Sequence, residues 1–146
     1  MKRRPIIDAL LAQLQALTAE PYEVQVISQG YVVWSDADIQ PAIYYVPVRE
    51  EAKYSSGLPT KWMMHGDLWV YVRQSTIELG VQTLMDLMDG IEEVLSPMGS
   101  NGMPTKSNTL GGLVTYCAIQ GQAEISGGFL NQQQTVARIP IEILTA

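Results

Sequence analysis

"KWMMHGDLWVYVRQ", residues 61 to 74, ends in five consecutive apolar positions, Leu68, Trp69, Val70, Tyr71 and Val72. A strand with one wet face would alternate polar and apolar residues, so an unbroken run points to a central strand covered on both sides. A few residues later Val81, Leu84, Met88, Ile91 and Leu95 recur at steps of three, four, three and four. Leu87 and Val94 flank that stripe, and Asp86, Asp89, Glu92 and Glu93 lie opposite. That spacing predicts an amphipathic helix with one face against a core. A mid-sheet strand followed by a sheet-packing helix sets the expected class: α+β, a mostly antiparallel or mixed sheet packed against two main helices.

The second helix of that pair lies upstream. After Pro5, a favourable first helical residue, Ile6, Ile7, Leu10, Leu11, Leu14 and Leu17 share one side, with Asp8, Gln13 and Gln15 on the other. "AEPY" (19 to 22) ends it. "EVQVIS", "YVVWSD" and "AIYYVPV" are short runs rich in β-branched and aromatic residues, and each predicts a strand. Pro47 moves the third to an edge or a bulge. "REEAKYSSGLP" (49 to 59) has no periodicity and predicts a long exposed loop.

Downstream, "SPMGSNGMPTKSN" (96 to 108) predicts a second long loop, and "LVTYCAI" (113 to 119) a strand with which "QAEIS" pairs across Gln120-Gly121. In the last strand Thr135, Ala137, Ile139, Ile141 and Ile143 face one way and Arg138, Pro140 and Glu142 the other. Pro140 places that strand near an edge or at a bulge. The 146 residues fit a single domain, 1 to 146, able to bury a core without disulfide or metal staples.

Nine Lys and Arg stand against fifteen Asp and Glu, and three of the nine (Lys2, Arg3, Arg4) open the chain. The rest carries six bases against fifteen acids, a formal charge of −9, which repels phosphate backbones and argues against sequence-specific nucleic-acid binding. A lone cysteine fits a reducing cytoplasm. Asp8, Gln13 and Gln15 break the apolar run that a signal peptide would need, so the start reads as mature protein. No stretch approaches the ~20 apolar residues of a membrane span, and no membrane contact is expected.

Cys117 sits mid-strand between Tyr116 and Ala118, where a small apolar side chain packs easily. A nucleophile needs exposure, a lowered pKa and a base, and His65 is the only histidine. Cys117 therefore reads as structural. Gly111-Gly112 precede a strand, whereas phosphate cradles precede a helix, so they read as a bend or a bulge where another backbone comes close. One Cys and one His cannot build a classical zinc site, and Asp86, Asp89 and Glu93 read as a solvated helix face. "DAD" (36 to 38) reads as a turn. The aromatics Trp34, Tyr44, Tyr45, Trp62, Trp69 and Tyr71 read as core or inter-subunit packing. No catalytic, cofactor or metal residue is expected, and the two loops are left as candidates for partner contact: Arg49, Glu50, Glu51, Lys53 and Tyr54 in the first, Met98, Asn101, Met103 and Lys106 in the second.

Several strings taken together, "IIDALLAQL", "GLPTKW" followed by "DLWVYVR", "LMDLMDGIEEVL", "TLGGLVTYCAIQG", a Gly- and Gln-rich stretch and the closing "IPIEIL", resemble the tail terminator (minor tail, or tail completion) proteins of long-tailed bacteriophages. The resemblance spans most of the chain and implies a homohexameric ring at the head-proximal end of the tail. Such a ring stops polymerisation of the tail tube protein and offers a docking surface to the head-tail connector protein. It implies no enzyme activity, no cofactor, a place in the virion and assembly in the host cytoplasm. An acidic body suits a bore through which DNA slides without sticking. Strand edges marked by Pro47 and Pro140 would gain cover from ring closure. A head-tail joining protein shares these traits; a small enzyme using Cys117 and His65, or an adaptor holding a peptide at a sheet edge, are readings from other classes.

Overall fold

Thr76 opens the main helix. Its extended backbone (φ −131°, ψ 155°) lets its hydroxyl accept the Leu79 N–H at 3.1 Å, which satisfies one of the helix's free donors. The computed structural model describes residues 3–30, 40–96, 108–127 and 134–146. Helix α1 (Arg3–Leu14) runs into a 3-10 turn at Gln15–Thr18, and α2 covers Ile77–Leu95. The strands are β1 (Val26–Gln29), β2 (Ala42–Lys53), β3 (Lys61–Arg73), β4 (Val114–Ile119), β5 (Glu124–Gly127) and β6 (Gln134–Thr145). The expected "YVVWSD" strand, the "DAD" turn, Trp34 and nearly all of the second loop lie outside the described residues.

The sheet runs β1-β2-β3-β6-β4, with β5 also on β6; β1 pairs with β2 in parallel and every other pairing is antiparallel. The fold is α+β. Residues 61–73 form the middle strand, but both helices lie on one face only. There Ile6, Ile7, Leu10, Leu14 and Leu17 meet Leu84, Leu87, Ile91 and Leu95 of α2 and Leu68, Val70, Val72, Ala137, Ile139, Ile141 and Ile143 of the sheet in one buried cluster. On the opposite face burial is local: Ala42, Tyr44, Tyr71 and Val136 cluster, with the two tyrosine rings edge to face at 5.8 Å.

Three expectations are corrected. Residues 49–53 are strand, not loop, because β2 stays paired with β3 as far as Lys53↔Lys61, leaving only a short turn. The segment "QAEIS" pairs with β6, not with β4. Strands β4 and β5 lie end to end along β6: five steps from Ile119 to Glu124 face three from Ile141 to Arg138, so two extra residues bulge outward. Pro140 therefore belongs to an interior strand and sits opposite that bulge. Its carbonyl accepts from Gln120 on the bulged side, where no ladder partner requires the N–H that proline lacks. Third, Gly111 and Gly112 (φ +74° and +92°) turn the chain with nothing within 4 Å of either Cβ position, so they form a bend without close backbone approach. Pro47, by contrast, lies at a register shift in β2, as expected of it.

Helix α2 is also rolled relative to its expected stripe. Gly80, Leu84, Leu87, Gly90, Ile91 and Leu95 are buried, whereas Val81 and Met88 are half-buried. Gly90 permits this, because a Cβ there would stand 2.7 Å from the Tyr22 ring and 3.0 Å from Leu17.

Candidate functional site

The fold keeps Cys117 and His65 apart. Cys117 pairs with Ile143 and points into the helix-covered core, 2% exposed. His65 belongs to the other face of β3, since side chains alternate along a strand and Met64 and Leu68 point to the core. The sheet itself thus stands between thiol and imidazole. His65 Nε2 is 3.7 Å from Glu51 Oε1, too long for a hydrogen bond, and has no hydrogen-bond partner among the described residues. Among those residues no group of three or more His, Cys, Asp or Glu could hold a metal ion, and no helix is long and apolar enough to cross a membrane.

Burial pushes the Cys117 thiol up from 9.0 to about 12, and burial likewise pushes the Tyr45 hydroxyl from 10.0 to about 12. Both groups stay protonated in the folded chain at pH values where the unfolded chain has released the proton. Stability is thus fully present below about pH 9 and falls as pH rises towards 12, by about 1.4 kcal/mol per pH unit for each group within its own window. Alkaline urea titrations should record that decline, and Cys117→Ala should make it shallower. In the same protein iodoacetamide at neutral pH should label Cys117 sluggishly until urea is added; rapid stoichiometric labelling of the folded chain would contradict the burial.

What the fold does present is an arm. β1 pairs with β2 only from Ala42 to Tyr45, so the outer edge of β2 from Val46 onward has no strand beside it among the described residues. On its other side β3 supports it, and β6 in turn supports β3 up to Met63↔Leu144; the Trp62 N–H then reaches the Thr145 hydroxyl at 2.8 Å. Arg3 braces the arm from α1, with Nε 2.8 Å from Glu50 and its guanidinium over the Trp62 ring at 5.4 Å. Arg49 and Lys53 flank Glu51 at 3.4 and 3.3 Å, and hydrogen bonds from Lys53 and then Arg49 hold the exposed Glu51 carboxyl below its ordinary range. Tyr54 (74% exposed) and Leu58 (64%) crown the tip.

Arg49, Glu50, Glu51, Lys53 and Tyr54 are therefore brought together on one braced, exposed hairpin. Met98, Asn101, Met103 and Lys106 lie outside the described residues. On the polar part of the uncovered face Arg138 bridges Asp67 (both oxygens at 3.3 Å) and Glu124 (3.0 Å), and the hydrogen bonds it donates, first to Glu124 and then to Asp67, raise its pKa. Arg138 thereby ties β5 to the sheet. Tyr116 donates to Glu142 at 3.1 Å beside it.

At the far end of the same hairpin lies a second feature that the sequence reading missed. A cleft of about 680 Å³ opens between α2 and the segments before β1 and β2, walled by Tyr22, Leu87 and Thr83 and edged by Glu23, Asp86 and Asp89. The only sequence signal was the helix's run of acids without a base. Among their neighbours across the cleft, Tyr22 and Glu23 come from some sixty positions away.

No family model matches the sequence, and no curated protein matches it. Among solved structures the fold is similar to a chain in the virion of a native gene transfer agent particle. The TM-score is 0.57, covering 94% of this chain and 92% of that one at 10% identity, which makes the likeness one of fold.

Proposed function

We propose that this chain is a structural protein of a virion, and within the virion a tail terminator: copies close into a ring, six by the sequence resemblance, on the head-proximal end of the tail tube, stop its growth and offer the head a surface to dock on. The observation that carries the reading is the fold shared over nearly the whole length of both chains with a component of a virion. It agrees with three of the tail-terminator strings, which are framework: "IIDALLAQL" is most of α1, "LMDLMDGIEEVL" most of α2 and "IPIEIL" half of β6. An enzyme built on Cys117 and His65 is disfavoured by the sheet that separates them and by the buried thiol.

The work of such a protein is mechanical. A ring halts a growing tube by covering its last subunit layer with a surface that the next layer cannot use, and an acidic wall lets DNA pass by repelling it. Electron microscopy of the purified full chain, alone and mixed with tail tubes, tests this. Closed rings that cap one end of each tube are expected; a chain that never binds tube ends would overturn the terminator assignment and leave the neighbouring joining ring as the virion role.

A further inference from the structure

Two surfaces at opposite ends of the β2–β3 hairpin complement each other, and one molecule cannot bring its own pair together. At one end is the tip, where Lys53 and Lys61 are register partners directly across from each other, a like-charge arrangement that weakens a hairpin unless an anion comes between. Of the two lysines Glu51 reaches Lys53, at 3.3 Å, and its other oxygen is already taken by Arg49. Beyond the lysines Tyr54 and Leu58 project into solvent. At the other end is the cleft edged by Glu23, Asp86 and Asp89, whose lining holds no basic residue among those described. Gln40 and Pro41 lead into β2 and Gln74 follows β3, so the cleft begins where the hairpin's strands enter and leave it. From Ala42 to Lys53 the strand spans about 36 Å at ~3.3 Å per residue, so the tip cannot fold back into its own cleft.

We infer that the arm tip of one copy seats in the acidic cleft of the next copy, with Lys53 and Lys61 against Asp86 and Asp89 and Tyr54 and Leu58 inside the rim. The occupant is a second copy of this chain because the charges are opposite, the cleft has room for the tip's side chains, and the two features lie at opposite ends of one hairpin. A cleft of 680 Å³ has the capacity of an ordinary ligand pocket and takes two large side chains readily. Joining a tip to a cleft uses different patches on the two copies. Such a head-to-tail contact repeats from copy to copy and closes into a ring when its rotation allows. The inference deepens the proposed function and rests on its ring; it adds which surfaces form the contact.

Charge reversal tests it on the full-length chain by sedimentation velocity. Lys53→Glu with Lys61→Glu, and separately Asp86→Lys with Asp89→Lys, should each weaken assembly ~100-fold or more, the scale on which opposed charges act at a contact. All four positions are exposed, so each variant should keep the wild-type melting temperature and circular dichroism. Combining the four substitutions restores opposite charge across the contact and should restore assembly. Rings that persist with either reversal, or folded quadruple variants that stay monomeric, would overturn this contact while leaving the ring itself standing. A wild-type chain that is monomeric at every concentration, with and without tail tubes, would remove the ring and the contact together.

Discussion

Replacing Gly66 with alanine is expected to destabilise the protein by about 3 kcal/mol or more, the upper part of the range for overpacking a finished core. In most strand interiors the same change would help by roughly 0.5–1 kcal/mol, because glycine has more backbone freedom to lose. Here the position lies in mid-sheet, between Pro47 on β2 and Ile141 on β6, and a Cβ added to it would land on the Tyr45 ring and hydroxyl. Tyr45 is 1% exposed and packed in the main cluster, so it has nowhere to swing. Tyr45→Phe should not rescue the variant, since ring carbons as well as the oxygen occupy the space. Urea unfolding measures both. A Gly66→Ala protein as stable as the parent would mean that the Tyr45 ring lies elsewhere.

The second large effect concerns the roll of α2. Leu87→Ala should cost about 3 kcal/mol, the ordinary loss for a buried leucine, and Met88→Ala less than about 1.5 kcal/mol. Leu87 is 1% exposed within the main cluster, whereas Met88 is half-buried at the cluster's margin. The apolar stripe read from sequence gives the reverse order, with Met88 on the central line and Leu87 beside it. Equal losses, or a larger loss at Met88, would return the helix to that stripe.

That reversal marks where periodicity stops being informative. A hydropathy pattern sees Val81 and Met88 but gives glycine no weight, so it cannot register that Gly80 and Gly90 turn inward and let Thr135, Tyr22 and Leu17 approach the helix axis. Residues 61–73, α1 and the period-two strand β6 were legible because one or both of their faces are buried along most of their length. Residues 49–53 were not. In that part of β2 both faces meet solvent, so Arg49, Glu50, Glu51 and Lys53 carry no alternation and read as loop although they are hydrogen-bonded strand. The pairing of β5 was hidden for another reason: a two-residue bulge opposite Pro140 keeps the chain on β6, where a short turn would have folded it back on β4.

The candidate site followed the same division. The exposed residues Arg49, Glu50, Glu51, Lys53 and Tyr54 could be picked out as a polar, aperiodic segment, but not as an arm braced by Arg3 and backed by β3 and β6. The cleft was illegible because its carboxylates come from α2 and from Glu23, more than sixty residues apart in the chain. Reading Cys117 as structural from its small apolar neighbours agreed with its place in the core.

The most direct trial of the proposed terminator function is to delete the gene from the phage or prophage that carries it and image the particles by electron microscopy. Overlong tails without heads are the expected result, because a tube with no ring on its end keeps adding subunits. Virions of normal tail length, intact and infectious, would contradict it.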